Sequence, residues 1–247
     1  MRGFGTLLWT EFKLIAREPY STFFTIAFPL LMLFLFGAIY GNKPTPFFGG
    51  LGFVDVMVPA YIGMIIATTG MLSLTIGVAS DREQGLLRRL RVTPLKPLAF
   101  LTAKVAVLFL LTALGMVLLL IAGKFVYQMH FPVQPLNVLI AFILSCSSFF
   151  ALGFVIAGIM PTSRAAQIVS MVLYYPMLFL SGATIPAQVL PAGVRSFGRA
   201  LPLTPVVNLM QGMWKGDAWS AHGSELIYLA IMFVVGLLVS AKTFRWE

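Results

Sequence analysis

Charged and polar residues fall along this chain in short clusters separated by long uncharged runs, and the runs set the first prediction. Crossing a hydrocarbon core of roughly 30 Å takes about 20 helical residues. Six runs approach or exceed that length: Thr22–Gly41, Val56–Ser80, Val105–Gly123, Leu136–Met160, Ala165–Thr184 and Leu226–Lys242. The sixth is the weakest, so Glu225 or Lys242 must reach the interface. Ahead of the first run, Phe4, Leu8, Phe12 and Ile15 recur at helical spacing on one side with Trp9 beside them. Thr6, Thr10, Lys13 and Arg17 recur on another. This pattern predicts an interfacial helix within residues 1–20, ended by Pro19, although a frayed continuation of the first span fits the periodicity equally well.

Charge is densest between the second and third runs, over Ser80-Asp81-Arg82-Glu83-Gln84-Gly85-Leu86-Leu87-Arg88-Arg89-Leu90-Arg91-Val92-Thr93-Pro94-Leu95-Lys96. The Ser80-x-x-Glu83 spacing predicts a capping box that starts a helix at Asp81, with Pro94 stopping it near Val92. On that helix Leu86, Leu87 and Leu90 share a face, Arg88 and Arg91 lie opposite, and Arg82 and Arg89 flank them. Such a segment suits a solvated loop touching anionic head groups, and it equally suits a helix that docks by its leucines. A second irregular stretch follows the fifth run. Gly182, Pro186, Pro191 and Pro202 cannot belong to one continuous helix, yet Thr184–Val194 is uncharged and apolar, so a turn over 185–205 is expected to dip into the membrane from outside. Backbone of that kind must be shielded by protein.

Composition narrows the class. Of 247 residues, 59% are hydrophobic and 10% charged, and mean hydropathy is +0.94. A soluble domain carries nearer a quarter charged residues, so the chain is expected to be an all-α integral membrane protein forming one transmembrane domain over 1–247. Low charge excludes disorder, and the single cysteine, Cys146, excludes a disulfide framework. The net charge of +9 is mainly an orientation signal. With both termini in the cytoplasm, 12 of the 17 Lys and Arg face inward, which satisfies the positive-inside rule. Nucleic-acid binding would instead ask for a soluble basic face with interleaved aromatics. Glu11 and Glu18, with no short apolar core before a cleavage site, argue against a cleaved signal peptide.

Residue identities then point to a family. The string from Arg82-Glu83 through Gly85-Leu86-Leu87-Arg88-Arg89-Leu90-Arg91-Val92-Thr93-Pro94 resembles the cytoplasmic motif of the type-two permeases of ATP-binding-cassette (ABC) exporters, among them daunorubicin-resistance and multidrug export permeases. Leu86 stands where Thr is commoner. A second match, Tyr175-Pro176 through Ser181-Gly182-Ala183-Thr184-Ile185-Pro186, then Leu190-Pro191 and Leu201-Pro202-Leu203-Thr204-Pro205, resembles the same family's fifth span and following turn. The resemblance covers the whole chain. It implies that residues 81–96 form a coupling helix seated in a cleft of an ATPase subunit, with contacts through Glu83, Gly85, Leu86, Leu87, Arg88, Arg89, Leu90, Arg91, Thr93 and Pro94. It also implies that Ser181, Gly182, Pro186, Pro191, Pro202 and Pro205 shape two short re-entrant helices closing the outer mouth.

No Gly-x-x-x-x-Gly-Lys-Ser/Thr stretch occurs, and Gly123-Lys124 is followed by Phe125. By the resemblance, two copies of a cytoplasmic ATPase bind the ATP and Mg, and this chain holds no cofactor or metal itself. A second permease chain, identical or related, and membrane lipids complete the expected partners, in a bacterial-type inner membrane. The expected activity is export of an apolar or amphiphilic substrate by alternating access, with export of a lipid-linked glycan as the alternative on the same scaffold. An ATP-independent carrier asks for ionisable groups at mid-membrane, which the span centres lack. A channel asks for rings of polar pore residues, which are not evident. His130, His222 and Cys146 stand apart and read as surface or packing residues, so an intramembrane enzyme has no catalytic cluster. Gly63 with Ala67, and Gly153 with Ala157, are candidates for close helix contact.

Overall fold

In the computed structural model, which describes residues 2–17, 19–86, 97–186 and 189–243, each of the six uncharged runs is helical over most of its length, the fifth leaving the helix after Leu180. The described residues contain no strand. Helix α1 (Arg2–Arg17) is followed by α2 (Pro19–Tyr40), α3 (Phe53–Thr68), a π-helical segment (Thr69–Leu74) and α4 (Thr75–Glu83), the last three forming one continuous rod. Then come α5 (Pro97–Tyr127), α6 (Pro135–Ile159), α7 (Ser163–Leu180), two short helices α8 (Ala192–Gly198) and α9 (Leu203–Lys215), and α10 (Gly223–Thr243). Stretches 53–83, 99–127, 135–159 and 219–243 are long and apolar enough to cross a membrane. The apolar helix 25–40 is shorter.

Burial explains why these helices differ in pattern. Every residue from Phe53 to Ala67 is buried, because α3 runs through the centre of the bundle, touched by α2, α5, α6 and α9. A helix surrounded by protein needs no polar face. The outer helices instead keep apolar stripes turned outward: on α5, Leu110, Leu114, Val117, Ile121 and Phe125 are exposed at intervals of three or four residues. In water such a surface would aggregate; in a bilayer it meets lipid chains.

Small residues set the closest approaches. A Cβ on Gly153 of α6 would overlap the carbonyl oxygen of Gly70, so the π segment and α6 touch backbone to backbone. Thr75 fastens the crossing, its hydroxyl lying 3.2 Å from Gly70 O and 3.1 Å from Gly153 O. Gly63 receives Val206 and Val207 of α9, so both glycines of the predicted pairs serve contacts inside this chain. Helix α1 turns one polar residue inward. Phe12 is exposed and stacks on Trp9, whereas the buried position of that turn is Glu11. The reason is a charge partner on α5, described below.

Candidate functional site

The last turn of α4 sends successive polar side chains to three different neighbours. Asp81 pairs with Lys104 of α5, whose ammonium also lies 3.9 Å from the Glu11 carboxylate of α1. Glu11 is 2% exposed and Lys104 8%. Burial is the largest influence on Glu11 and raises its carboxyl above the usual range; Lys104 opposes the rise and Asp81 adds to it. Arg82 turns the other way. Its guanidinium donates to the carbonyls of Ala157 (2.9 Å), Gly158 (3.2 Å) and Met160, the unsatisfied acceptors at the C-terminus of α6. Glu83 accepts from the backbone N–H (2.8 Å) and the hydroxyl (2.6 Å) of Ser163, the first residue of α7. A cation thus meets the negative end of one helix and an anion the positive end of the next, the favourable sign at both.

This geometry overturns the capping box. The α-helix does not start at Asp81; it arrives from Thr75 and ends at Glu83. Ser80 is a helical residue whose Oγ accepts from the Gln84 side chain at 2.9 Å, and Glu83 caps α7, not its own helix. The apolar run continues unbroken into Ser80, so the helix has no reason to restart there, and the Glu83 carboxylate finds two donors across the turn. Gly85 follows with φ +67, a left-handed conformation that glycine adopts without strain, and its N–H donates to Arg82 O at 3.0 Å. Leu86 is half-buried and rests against the core. The remaining predicted coupling residues, Leu87, Arg88, Arg89, Leu90, Arg91, Thr93 and Pro94, lie outside the described residues.

Beside this turn a cleft of about 650 Å³ opens between α2, the α3–π–α4 rod and α7. Phe28, Leu72, Ile76, Met171 and Leu178 supply apolar wall, while Thr68, Ser73, Ser80, Gln167 and Tyr174 add polar groups. The Tyr174 and Thr68 hydroxyls hydrogen-bond at 2.7 Å and tie α7 to α3 across it. A second groove of about 790 Å³, on the side formed by α1, α5, α6 and α10, is almost wholly apolar, with Thr102, Ser147 and Ser240 as its few hydroxyls. No group of His, Cys, Asp and Glu suited to a metal ion occurs among the described residues.

At the other end of the bundle the residues predicted to shape the outer turn are brought together in part. The Ser181 hydroxyl accepts from Ala183 N at 3.3 Å and ends α7; Gly182 turns the chain at φ +85; Pro186 is buried. Pro191 precedes α8 and is exposed, while Pro202 precedes α9 and Pro205 sits buried in its first turn. Helix α9 packs against α3, α6 and α10, and Gln211 donates to the Val56 carbonyl at 3.0 Å. In the first turn of α3, Asp55 is 2% exposed and accepts from His130 N (2.8 Å) and Asn42 Nδ2 (3.1 Å), with the His130 ring Nδ1 2.9 Å away. His130 is therefore more than a surface residue: its ring is exposed, but its backbone and Nδ1 bind the α5–α6 connection to α3. Local spacing does not reveal the pairing of Glu11 and Asp81 with Lys104, or of Asp55 with His130, because the partners lie far apart along the chain.

Comparison with known proteins agrees with this architecture. The profile of the family described as "ABC-2 type transporter" matches residues 2–213. The chain is 25% identical over 250 residues to a putative transport permease, ycf38, of Cyanophora paradoxa, covering 94% of this chain and 85% of that one. It is 24% identical over 162 residues to the probable multidrug ABC transporter permease YbhR of Escherichia coli K12, covering 66% of this chain and 44% of the relative. It is 26% identical over 211 residues to ABC transporter G family member 20 of Dictyostelium discoideum, covering 81% and 28%. The matched regions thus span less than half of the latter two proteins. A profile match over most of the length, on an all-helical body with membrane-length apolar helices, makes this chain a member of the ABC-2 type transporter family.

Proposed function

We propose that the chain is the permease subunit of an ATP-driven exporter, moving an apolar or amphiphilic substrate out of the cytoplasm or inner leaflet. Six spans with both termini in the cytoplasm put the α4 turn and the motif loop on the inner side of the membrane. A separate ATPase, in two copies, binds ATP and Mg and grips the loop through Leu87, Arg88, Arg89, Leu90 and Arg91. A second permease chain completes the pathway. The observation that carries this reading is the cleft beside the motif turn. Among the described residues its wall combines apolar side chains with hydroxyl and amide groups and holds no Asp, Glu, Lys, Arg or His. Such a wall suits a ligand with an apolar body and a few hydrogen-bonding groups, and it offers no relay for protons.

In the proposed cycle, ATP binding draws the motif loop with the ATPase, α4 moves about the π segment, and the cleft closes inward while the turn built on Gly182, Pro186, Pro191, Pro202 and Pro205 opens outward. A π segment inside a helix marks a site where the hydrogen-bond ladder is already interrupted, and it is a natural pivot. Purification in mild detergent, followed by reconstitution with the copurifying ATP-binding chain, tests the reading. Transport is expected only with that partner and ATP; uphill transport by the permease alone refutes it.

A further inference from the structure

The two charged residues that end α4 do more than terminate a helix. Arg82 and Glu83 are adjacent, yet they hold opposite sides of the 160–163 turn that joins α6 to α7. Arg82 reaches three carbonyls at the end of α6, and Glu83 takes both donors of Ser163 at the start of α7. Thr162 closes the same turn locally by accepting from Ala165 N at 3.2 Å. The turn is therefore bonded from α4 at both ends, and nothing so dense joins α7 to α2 on the far side of the cleft among the described bonds.

The consequence concerns movement. Helix α7 carries Gln167, Met171, Tyr174 and Leu178 into the cleft, and α4 carries Ile76, Gly77 and Ser80 into it. Arg82 and Glu83 open the motif, whose remaining residues follow directly. A displacement applied to the motif loop reaches the end of α4 first. With the turn bonded to α4, α7 has to follow. Without those bonds only side-chain packing would join α4 to α7, against the Tyr174–Thr68 bond that holds α7 to α3.

We propose that Arg82 and Glu83 are positioning residues that latch the α6–α7 turn to α4, so that α4 and the cytoplasmic end of α7 move as one body when the motif loop is displaced. The latch makes displacement of the loop change the cleft on both of its walls. This inference rests on the permease reading above for its driving force, but its geometry is tested independently.

Three measurements on the full chain separate the possibilities. First, Glu83→Cys with Ser163→Cys, bridged by a short bis-methanethiosulfonate in native membranes, is expected to cross-link with high yield in the resting protein; Cys146 is buried and does not compete. Failure to cross-link overturns the latch, whatever the ATPase does. Second, in proteoliposomes with the copurified ATPase, the bridged protein is expected to keep its transport rate, since the latch never opens. Loss of transport on bridging, restored by reduction, overturns it. Third, Arg82→Gln is expected to lower transported substrate per ATP hydrolysed by about tenfold while ATP hydrolysis stays within about twofold, and Glu83→Ala is expected to lower the same ratio. Glu83→Gln keeps an acceptor for Ser163 and is expected to recover most of the ratio. A merely structural role would lower hydrolysis and transport together, and that result overturns the proposal. Ser163→Ala, which keeps the backbone bond, serves if Arg82→Gln does not fold. If no ATP-binding chain copurifies, the permease reading fails and the cross-linking result still stands for the latch.

Discussion

Replacing Lys104 with methionine keeps the length and volume of the side chain but removes the ammonium that faces both Glu11 and Asp81. Glu11 is 2% exposed and Asp81 is largely covered, so neither carboxylate recovers its hydration when the cation goes. Deleting one partner of a buried charged pair costs about 3–5 kcal/mol, and the remaining carboxylates also repel each other. For a chain of this length that is a fall in melting temperature of roughly 6–20 °C. The sign of the pH dependence follows from Glu11. Its folded-state carboxyl is already raised by burial, and losing Lys104 raises it further. The folded variant then binds a proton that the unfolded chain has released, so the deficit is greatest near pH 8 and shrinks as pH falls toward the ordinary carboxylate range. Thermal unfolding in detergent at several pH values measures it. The double variant Glu11→Gln with Lys104→Met should recover part of the loss, because the residues share one network. A variant within about 1 kcal/mol of wild type at pH 8, or one whose deficit does not change with pH, refutes the reasoning.

Further outcomes follow from single contacts. Gly153→Ala places a methyl group on the Gly70 carbonyl and should cost about 1–3 kcal/mol by melting, while Gly5→Ala, which meets nothing within 4 Å, should be neutral or stabilising. Asp55→Ala leaves the His130 and Asn42 donors without their acceptor and should cost at least about 2 kcal/mol, with faster hydrogen exchange in the loops at 42–52 and 128–134; unchanged exchange would show that the loops are held otherwise. Tyr174→Phe removes the bond to Thr68 and should cost only about 0.5–1.5 kcal/mol, but a cysteine placed at Ser73 should become more reactive to thiol reagents as α7 parts from α3. Equal reactivity in both backgrounds would show that this bond does not close the cleft.

The helices were legible in the sequence because a charge-free run in a chain this apolar has one outlet: a helix that satisfies its own backbone. That argument located α2, the α3–π–α4 rod, α5, α6, α7 and α10, and the clustered Pro and Gly located the break that separates α7 from α9. The capping box failed for the same reason that the runs succeeded. A Ser-x-x-Glu spacing is a local signal, and an uninterrupted apolar helix entering from Thr75 outweighed it once Ser163 offered Glu83 two donors.

What required the folded chain was every decision between neighbours. Nothing local tells α3, buried on all sides, from α5, whose outer stripe stays exposed, since both are apolar over most of their length. Nor does spacing link Glu11 with Lys104, Asp55 with His130, or Arg82 with the end of α6. Hydrophobicity places a segment in the membrane but is indifferent to which segment lies beside it. Close backbone contact at glycine, and the cost of leaving a buried charge or carbonyl unpaired, settle the partners, and both depend on residues brought together only by the tertiary structure.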